Sequence, residues 1–378
     1  YYQLAGAFPI GNVTGFRLAT QSGSLNLRPE RMTGLEAGLE LRFLDNRFGI
    51  DVAYFNQTTE DQIVNIPVSN ATGFSTFVAN GGTVRNTGIE VLLNARIIQT
   101  NEFSWDASLN WSRVRGDIVD IASGINEIVP SGGDFAPYAS LRWVRPGTDP
   151  TNPNPSIGDI YGFDFVRNAN GQAIIGADGF PTVDLNRPIK VGNAFPDWQG
   201  GLSNTFSWNG LSLSFLIEWR HGGQAVDLSE PNRFRNGISG WTGDVRNRNI
   251  VFNGVDAQGN PNTQPILWSG TAINNTYRIF RTNASYISHY SVAVQDASWL
   301  RLRNASLSYS LPKSLFGEGS VIQGLRLTVT GNNLWLNTPF RGFDPDGLSF
   351  GAGASTYGFI GRNTPATRSY AFGVSVTF

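Results

Sequence analysis

Apolar and polar residues alternate with period two over runs of about ten residues, and turn-forming residues separate the runs. The clearest example lies between Thr87 and Arg115. Ile89, Val91, Leu93, Ala95 and Ile97 fall on one face, with Glu90, Asn94 and Arg96 on the other. Thr100-Asn101-Glu102 breaks the run. Phe103, Trp105, Ala107, Leu109 and Trp111 then answer, opposite Ser104, Asp106, Ser108, Asn110 and Ser112. This pattern predicts an antiparallel hairpin with one apolar and one hydrophilic surface.

The unit recurs along the chain. Leu35, Ala37, Leu39, Leu41 and Phe43 alternate with Glu36, Gly38, Glu40 and Arg42, and Phe48, Ile50, Val52 and Tyr54 follow an Asp45-Asn46 turn. Leu202 and Phe206 precede Asn209-Gly210, a dipeptide suited to a type I′ turn because both central residues need positive φ. Leu211, Leu213, Phe215, Ile217 and Trp219 come next. Ala305, Leu307, Tyr309 and Leu311, then Leu325, Leu327 and Val329, form a later pair. Tyr370, Phe372, Val374, Val376 and Phe378 share a face of the last run.

About nine strands result, joined by short turns and by four long connections, at 59–86, 116–194, 222–297 and 337–365. Long structureless loops count against a compact soluble domain. Short turns at one end, long loops at the other and strands of about 9–11 residues fit a transmembrane β-barrel. Trp105, Trp111, Trp198, Trp208, Trp219, Trp299, Trp335 and Tyr370 are expected to form its interfacial aromatic girdles. Bacterial single-chain barrels hold an even number of strands and must close, so an odd set implies further strands upstream of Tyr1.

Composition sharpens this picture only in part. The 378 residues include 44 Gly and 46 aromatics (25 Phe, 11 Tyr, 10 Trp), which suits strands and loops. No apolar run reaches about 18 residues, which excludes a transmembrane helix but not a barrel. A net charge of −1 with no basic run argues against nucleic acid, and the absence of Cys removes disulfides and thiolate chemistry. The chain opens on Tyr1-Tyr2-Gln3 with no export signal, as expected of a fragment.

Candidate chemistry is sparse. His221 and His289 read as solvated loop histidines, without the partners of a triad or the spacing of a zinc site. Asp164, Asp178 and Asp184, with Asn168-Ala169-Asn170-Gly171, offer oxygen ligands for calcium, but they match no EF-hand and suit ordinary turns equally well. No other cofactor is expected, and an enzyme is the least expected class. Glu36, Glu40, Arg42, Glu90 and Arg96 are candidates for a hydrated lumen lining, with mutual pairing as the structural alternative. Arg233, Phe234, Arg235 and Trp241, in the arginine-rich stretch 232–250, are candidate loop contacts; a solvated loop is the bland alternative. Asn110-Trp111-Ser112 fits the glycosylation pattern, but lies mid-strand.

Several segments resemble the SusC/RagA family of TonB-dependent outer-membrane transporters. They are Asn26-Leu27-Arg28-Pro29-Glu30-Arg31 with Gly34-Leu35-Glu36-Ala37-Gly38-Leu39-Glu40; Asn86-Thr87-Gly88-Ile89-Glu90; and Val191-Gly192-Asn193-Ala194-Phe195-Pro196-Asp197-Trp198. Asp296-Ala297-Ser298-Trp299-Leu300-Arg301-Leu302-Arg303-Asn304, Tyr309-Ser310-Leu311-Pro312, Gly331-Asn332-Asn333-Leu334-Trp335 and Gly342-Phe343-Asp344-Pro345 continue the series. The order of the motifs, more than any one of them, carries the resemblance, from about Asn26 to Phe378.

The resemblance implies that residues 1–378 are the C-terminal part of a 22-stranded barrel with a plugged lumen, the plug and N-terminal strands lying elsewhere. It further implies a Gram-negative outer membrane of Bacteroidota type, with contact to membrane lipid and lipopolysaccharide. The implied partners are a SusD-like lipoprotein lid, the TonB complex through the missing N-terminal part, and the barrel-assembly machinery, which would read Tyr370, Phe372, Val374, Val376 and Phe378. The implied function is energised import of bulky nutrients, glycans or peptides. A passive pore barrel and a soluble, lectin-like β-module are the alternatives.

Overall fold

The computed structural model describes residues 2–10, 13–130, 134–135, 138–268, 286–317, 319–347, 358–361 and 366–378. Its centre is one nine-stranded sheet. The strands are β1 (Arg31–Phe43), β2 (Phe48–Glu60), β3 (Gly82–Gln99), β4 (Phe103–Ile121), β5 (Trp198–Trp208), β6 (Leu211–His221), β7 (Trp299–Ser310), β8 (Gly324–Asn337) and β9 (Ser369–Thr377). Each pairs antiparallel with its chain neighbours, from β1 at one edge to β9 at the other. A separate hairpin, Tyr2–Ile10 with Val13–Leu18, precedes the sheet.

Turn chemistry sets the register at the short end. Asn209 and Gly210 have φ of 45° and 85°, as a type I′ hairpin requires. Asp45 and Asn46 lie at 54° and 62°, a region short polar side chains tolerate. Thr100 closes its own turn, its N–H donating to the Phe103 carbonyl at 2.8 Å.

The two faces differ as the alternation predicts. Cross-strand rows on the outer face are apolar: Leu41, Ile50, Leu93, Leu109, Leu202 and Ile217 sit side by side. On the inner face a row runs Arg96, Asp106, Thr205, Ser214, Ser306 and Thr330. Many outer side chains are bare in the isolated chain, for example Leu39 at 56% and Phe372 at 80% exposure. Leaving such a side chain in water forfeits about 1.5–3 kcal/mol each, so this face requires an apolar solvent. Asn204 interrupts it, and its Oδ1 accepts the Trp105 indole N–H at 3.0 Å, which satisfies a polar group facing lipid.

Three sequence expectations need correction. Ile97 does not continue the outer face of β3: a bulge lies between Arg96 and Ile98, and Ile98 takes its place opposite Trp105. Trp299 is not a girdle residue. Leu300 and Leu302 face outward, so alternation turns Trp299 inward, where the Arg301 guanidinium lies 5.1 Å from its ring. By contrast Trp111, Trp219 and Trp335 do lie on the outer face toward the long loops, and Trp208 and Tyr309 toward the short turns.

The third correction concerns the loops, which are not structureless. They hold the buried core of the chain. One cluster comprises Leu141, Ile160, Val226, Ala293 and Phe359 with their neighbours; another is built on Phe180, Phe234, Ile266, Trp268 and Ile287. β3 and β4 run past the membrane band into this layer, burying Val84, Ile118 and Ile121 against Ile128. That extension is why the first long loop ends earlier, and the second begins later, than the alternation suggests. No helix among the described residues is long and apolar enough to cross a membrane.

Candidate functional site

The inner wall and the loops above it meet at the loop end of β6 to β8. Period two places Glu218 and Arg220 of β6, and Trp299 and Arg301 of β7, on the inner face. A bulge at Arg303, facing Asn333 at φ 51° in β8, turns that side chain inward too. Loop residues 338–347 descend onto this patch. Asp344 accepts both Arg301 Nη groups, at 2.6 and 3.2 Å, and both side chains are buried. Arg303 Nη2 reaches Asp346 at 2.9 Å while its Nε donates to Glu218. Asp344 Oδ1 also accepts the Asp346 N–H at 3.0 Å, so the turn that presents one carboxylate fixes the other.

These contacts join the two segments 296–304 and 342–345. The sequence reading used both only as marks of resemblance and missed their pairing. The signal was available, since alternation puts Trp299 and Arg301 on the face opposite Leu300 and Leu302. Two-point Arg–carboxylate pairs are geometrically demanding, so the loop is held to the wall in one orientation.

Beside this patch lies a cavity of 280 Å³, whose floor is Ser112, Gln199 and Arg220, one lateral row across β4, β5 and β6. Its roof includes Ala194, Phe195 and Pro196 from one loop and Phe359 and Ile360 from another. A second cavity, of 300 Å³, shares Val114, Phe195 and Pro196 with it.

The predicted lining residues Glu36, Glu40, Arg42, Glu90 and Arg96 share the inner face, farther along the sheet. Arg42 pairs with Glu40 at 2.9 Å and Arg96 with Asp106 at 3.2 Å. Glu40 lies directly opposite Asp51, and Glu90 opposite Ala53 and Ser112. The wall is thus polar and partly self-paired.

The candidate loop contacts separate. Residues 232–250 are folded rather than a solvated loop, with helices at Glu230–Arg235 and Gly240–Val245. Phe234 is not presented at the surface; it is buried in the loop core, stacked 5.0 Å from Trp241. Arg233 is engaged inside the loop with Asp227 and Glu230. Arg235 and Trp241 stay partly exposed.

His289 is not the solvated residue expected. It is buried, stacked 3.8 Å from Phe165, and its Nε2–H donates to Asp164 Oδ1 at 3.0 Å. Nδ1 accepts the Ser291 N–H at 3.3 Å, which fixes this tautomer and caps the short helix Tyr290–Ala293. Burial holds the imidazole below its ordinary 6.5 despite the Asp164 charge. Burial alone would raise Asp164, but hydrogen bonds from Arg167 and His289 outweigh it and leave the carboxyl below 3.8. His221 ends β6, exposed and stacked 4.9 Å from Trp198.

The calcium candidates do not converge. Asp164 is taken by Arg167 and His289, whereas Asp178 and Asp184 accept backbone N–H groups of Phe180 and Asn186 in their own turns. Among the described residues no three His, Cys, Asp or Glu side chains gather. On β9, Tyr370, Phe372, Val374 and Val376 face outward along an edge that no other strand pairs among the described residues, and Phe378 follows the strand.

An open antiparallel meander with an apolar outer face, a polar inner face and folded loops at one end is a portion of an outer-membrane β-barrel. The chain belongs to the TonB-dependent receptor-like β-barrel family, whose model matches residues 1–334. Such proteins reside in the Gram-negative outer membrane. TonB-dependent receptor P3 of Formosa agariphila is 25% identical over 339 residues, covering 85% of this chain and 31% of that protein. SusC of Bacteroides thetaiotaomicron is 23% identical over 393 residues, covering 98% of this chain and 34% of its own. The chain therefore spans about a third of the length of these curated relatives. The structure of the RagAB peptide transporter superposes with a TM-score of 0.68 at 22% identity, over 100% of this chain and 38% of that one, which establishes the fold.

Proposed function

We propose that residues 1–378 are the C-terminal part of the wall and loop cap of a TonB-dependent importer of bulky nutrients, glycans or peptides. The observation that carries this reading is the Arg301–Asp344 pair, which fastens a loop over a polar inner wall. A loop held inside the mouth suits selective capture, because it narrows the lumen instead of lying along the rim.

The barrel is completed by strands outside this chain. Among the described residues β1 and β9 are open edges, and an unpaired edge in lipid leaves backbone N–H and C=O groups unsatisfied at several kcal/mol each. On this reading a plug and the TonB-contacting segment also lie outside residues 1–378. A SusD-like lipoprotein covers the loops, in keeping with the likeness to SusC and RagAB. The role is transport, not catalysis. A soluble lectin-like module does not fit an outer face whose apolar side chains, Leu39 and Phe372 among them, stand bare.

The test is uptake by cells carrying the full-length receptor gene. Nutrient-dependent growth that disappears when TonB is deleted, and when the receptor is deleted, supports import. Uptake that persists without TonB points to the passive pore.

A further inference from the structure

We propose that Arg220 forms a carboxylate-binding subsite in the 280 Å³ cavity of the inner wall, a deepening that rests on the import reading. Three arginines lie together here. Arg301 is matched by Asp344, and Arg303 by Glu218 and Asp346. Arg220 has no carboxylate within ion-pair distance among the described residues. The carboxylate whose charge it feels, Asp346, is already held by Arg303 at 2.9 Å.

The guanidinium is positioned without being used up. Arg220 Nη2 donates to the Ala194 carbonyl at 2.6 Å. The Nε–H is buried and meets no acceptor among the described residues. A guanidinium carries five N–H donors in a planar fork, and a buried donor left unmet is costly, the more so when charged. Arg301 Nε–H likewise meets no acceptor among the described residues, but its charge is neutralised by Asp344. Among the described residues Arg220 therefore meets neither a counter-charge nor an acceptor for its Nε–H.

The surroundings define what fits. Gln199 and Ser112 extend the polar floor from Arg220 along one row, while Phe195, Phe359 and Ile360 form an apolar roof. A planar carboxylate on a compact, partly apolar body satisfies both surfaces, the carboxylate meeting the guanidinium fork. A uronic acid unit of a glycan and the C-terminal residue of a peptide share that chemistry.

The test uses the full-length receptor purified in detergent. Arginine modification by phenylglyoxal is followed by peptide mass spectrometry, with trigalacturonate or a short free-acid peptide as protectant. The methyl ester and the C-terminal amide serve as controls. Arg220 should react faster than Arg301 and Arg303. One of the acids, at ten times its half-saturating concentration, should slow that reaction about tenfold, and its neutral counterpart should not. The acid that protects identifies the source of the carboxylate.

The proposal is overturned if Arg220 is as unreactive as Arg301 without ligand, because another part of the receptor then covers it. Equal effects of acids and neutral controls, or no protection by either acid, overturn it as well. The measurement needs no TonB energy. Protection in the purified receptor together with TonB-independent uptake would sink the import reading and leave the subsite standing.

Discussion

Arg301 of β7 and Asp344 of the last long loop meet in a buried two-point ion pair, 43 residues apart in the chain. The pair sits where the membrane-spanning wall gives way to the loop layer. Breaking such a pair by removing one partner strands a charge in low dielectric, at a cost of about 3–5 kcal/mol. In the full-length receptor, Asp344→Ala should release the 338–347 loop to limited proteolysis. The paired change Arg301→Gln with Asp344→Asn should restore much of the protection. Equal protease resistance in Asp344→Ala and the wild type would refute the fastening role.

Acid should loosen the junction between the second and third long loops. His289 is neutral when folded, with its pKa below 6.5, so the unfolded segment binds a proton the folded one refuses. Stability contributed by the neutral form falls as pH drops through about 6.5. The Asp164 contribution is present above 3.8 and is lost as pH falls from there through its lower folded value. Hydrogen exchange of residues 286–293, corrected for intrinsic rate, should accelerate from pH 7.5 to 5.5. His289→Gln should flatten that dependence; an unchanged profile in the variant would remove His289 as its source.

Phe55 lies over Gly88 so closely that a Cβ there would come within 2.3 Å of the ring and 3.1 Å of the Arg113 carbonyl. Gly88→Ala should cost about 1–3 kcal/mol by overpacking. Phe55→Ala in the same chain should recover part of the loss by making room. Urea titration of the heat-modifiable folded band on gels reads both.

Phe215 and Ser214 are neighbours on β6 that face lipid and lumen respectively. Phe215→Arg should destabilise the barrel by about 2–4 kcal/mol if it lies near the bilayer midplane, whereas Ser214→Arg should change little. The folded fraction in isolated outer membranes distinguishes them, and equal tolerance at both positions would mean the faces are wrongly assigned.

Much of the wall was legible in the sequence because a strand writes its two faces every second residue. Leu39 and Glu40 disclose their sides without knowledge of any partner. The bulge at Ile97 was not legible, since one extra residue leaves the local composition unchanged while reversing the faces beyond it. Trp299 was misplaced because a tryptophan near a strand end suggests a girdle, although the parity set by Leu300 and Leu302 contradicts it. The loop layer was hidden for a different reason. His289 and Asp164 are 125 residues apart, and neither has a local signal for the other. The lumen candidates rested on polarity alone, which marks the face but does not single out Arg220.

A sheet in which every strand pairs only with its chain neighbours can be laid down one strand at a time, cheaply at the short turns and, across the long loops, at an entropy cost that grows only slowly with length. The loop layer has no such route. Arg301 must wait for Asp344 until β8 is laid down between them, and Asp164 for His289 until β5 and β6 are in place. Maturation of this protein is then expected in two kinetic stages: rapid sequential growth of the wall, followed by slower settling of the cap. A receptor caught between them would be inserted and heat-modifiable, yet its outer mouth would still be open to proteases.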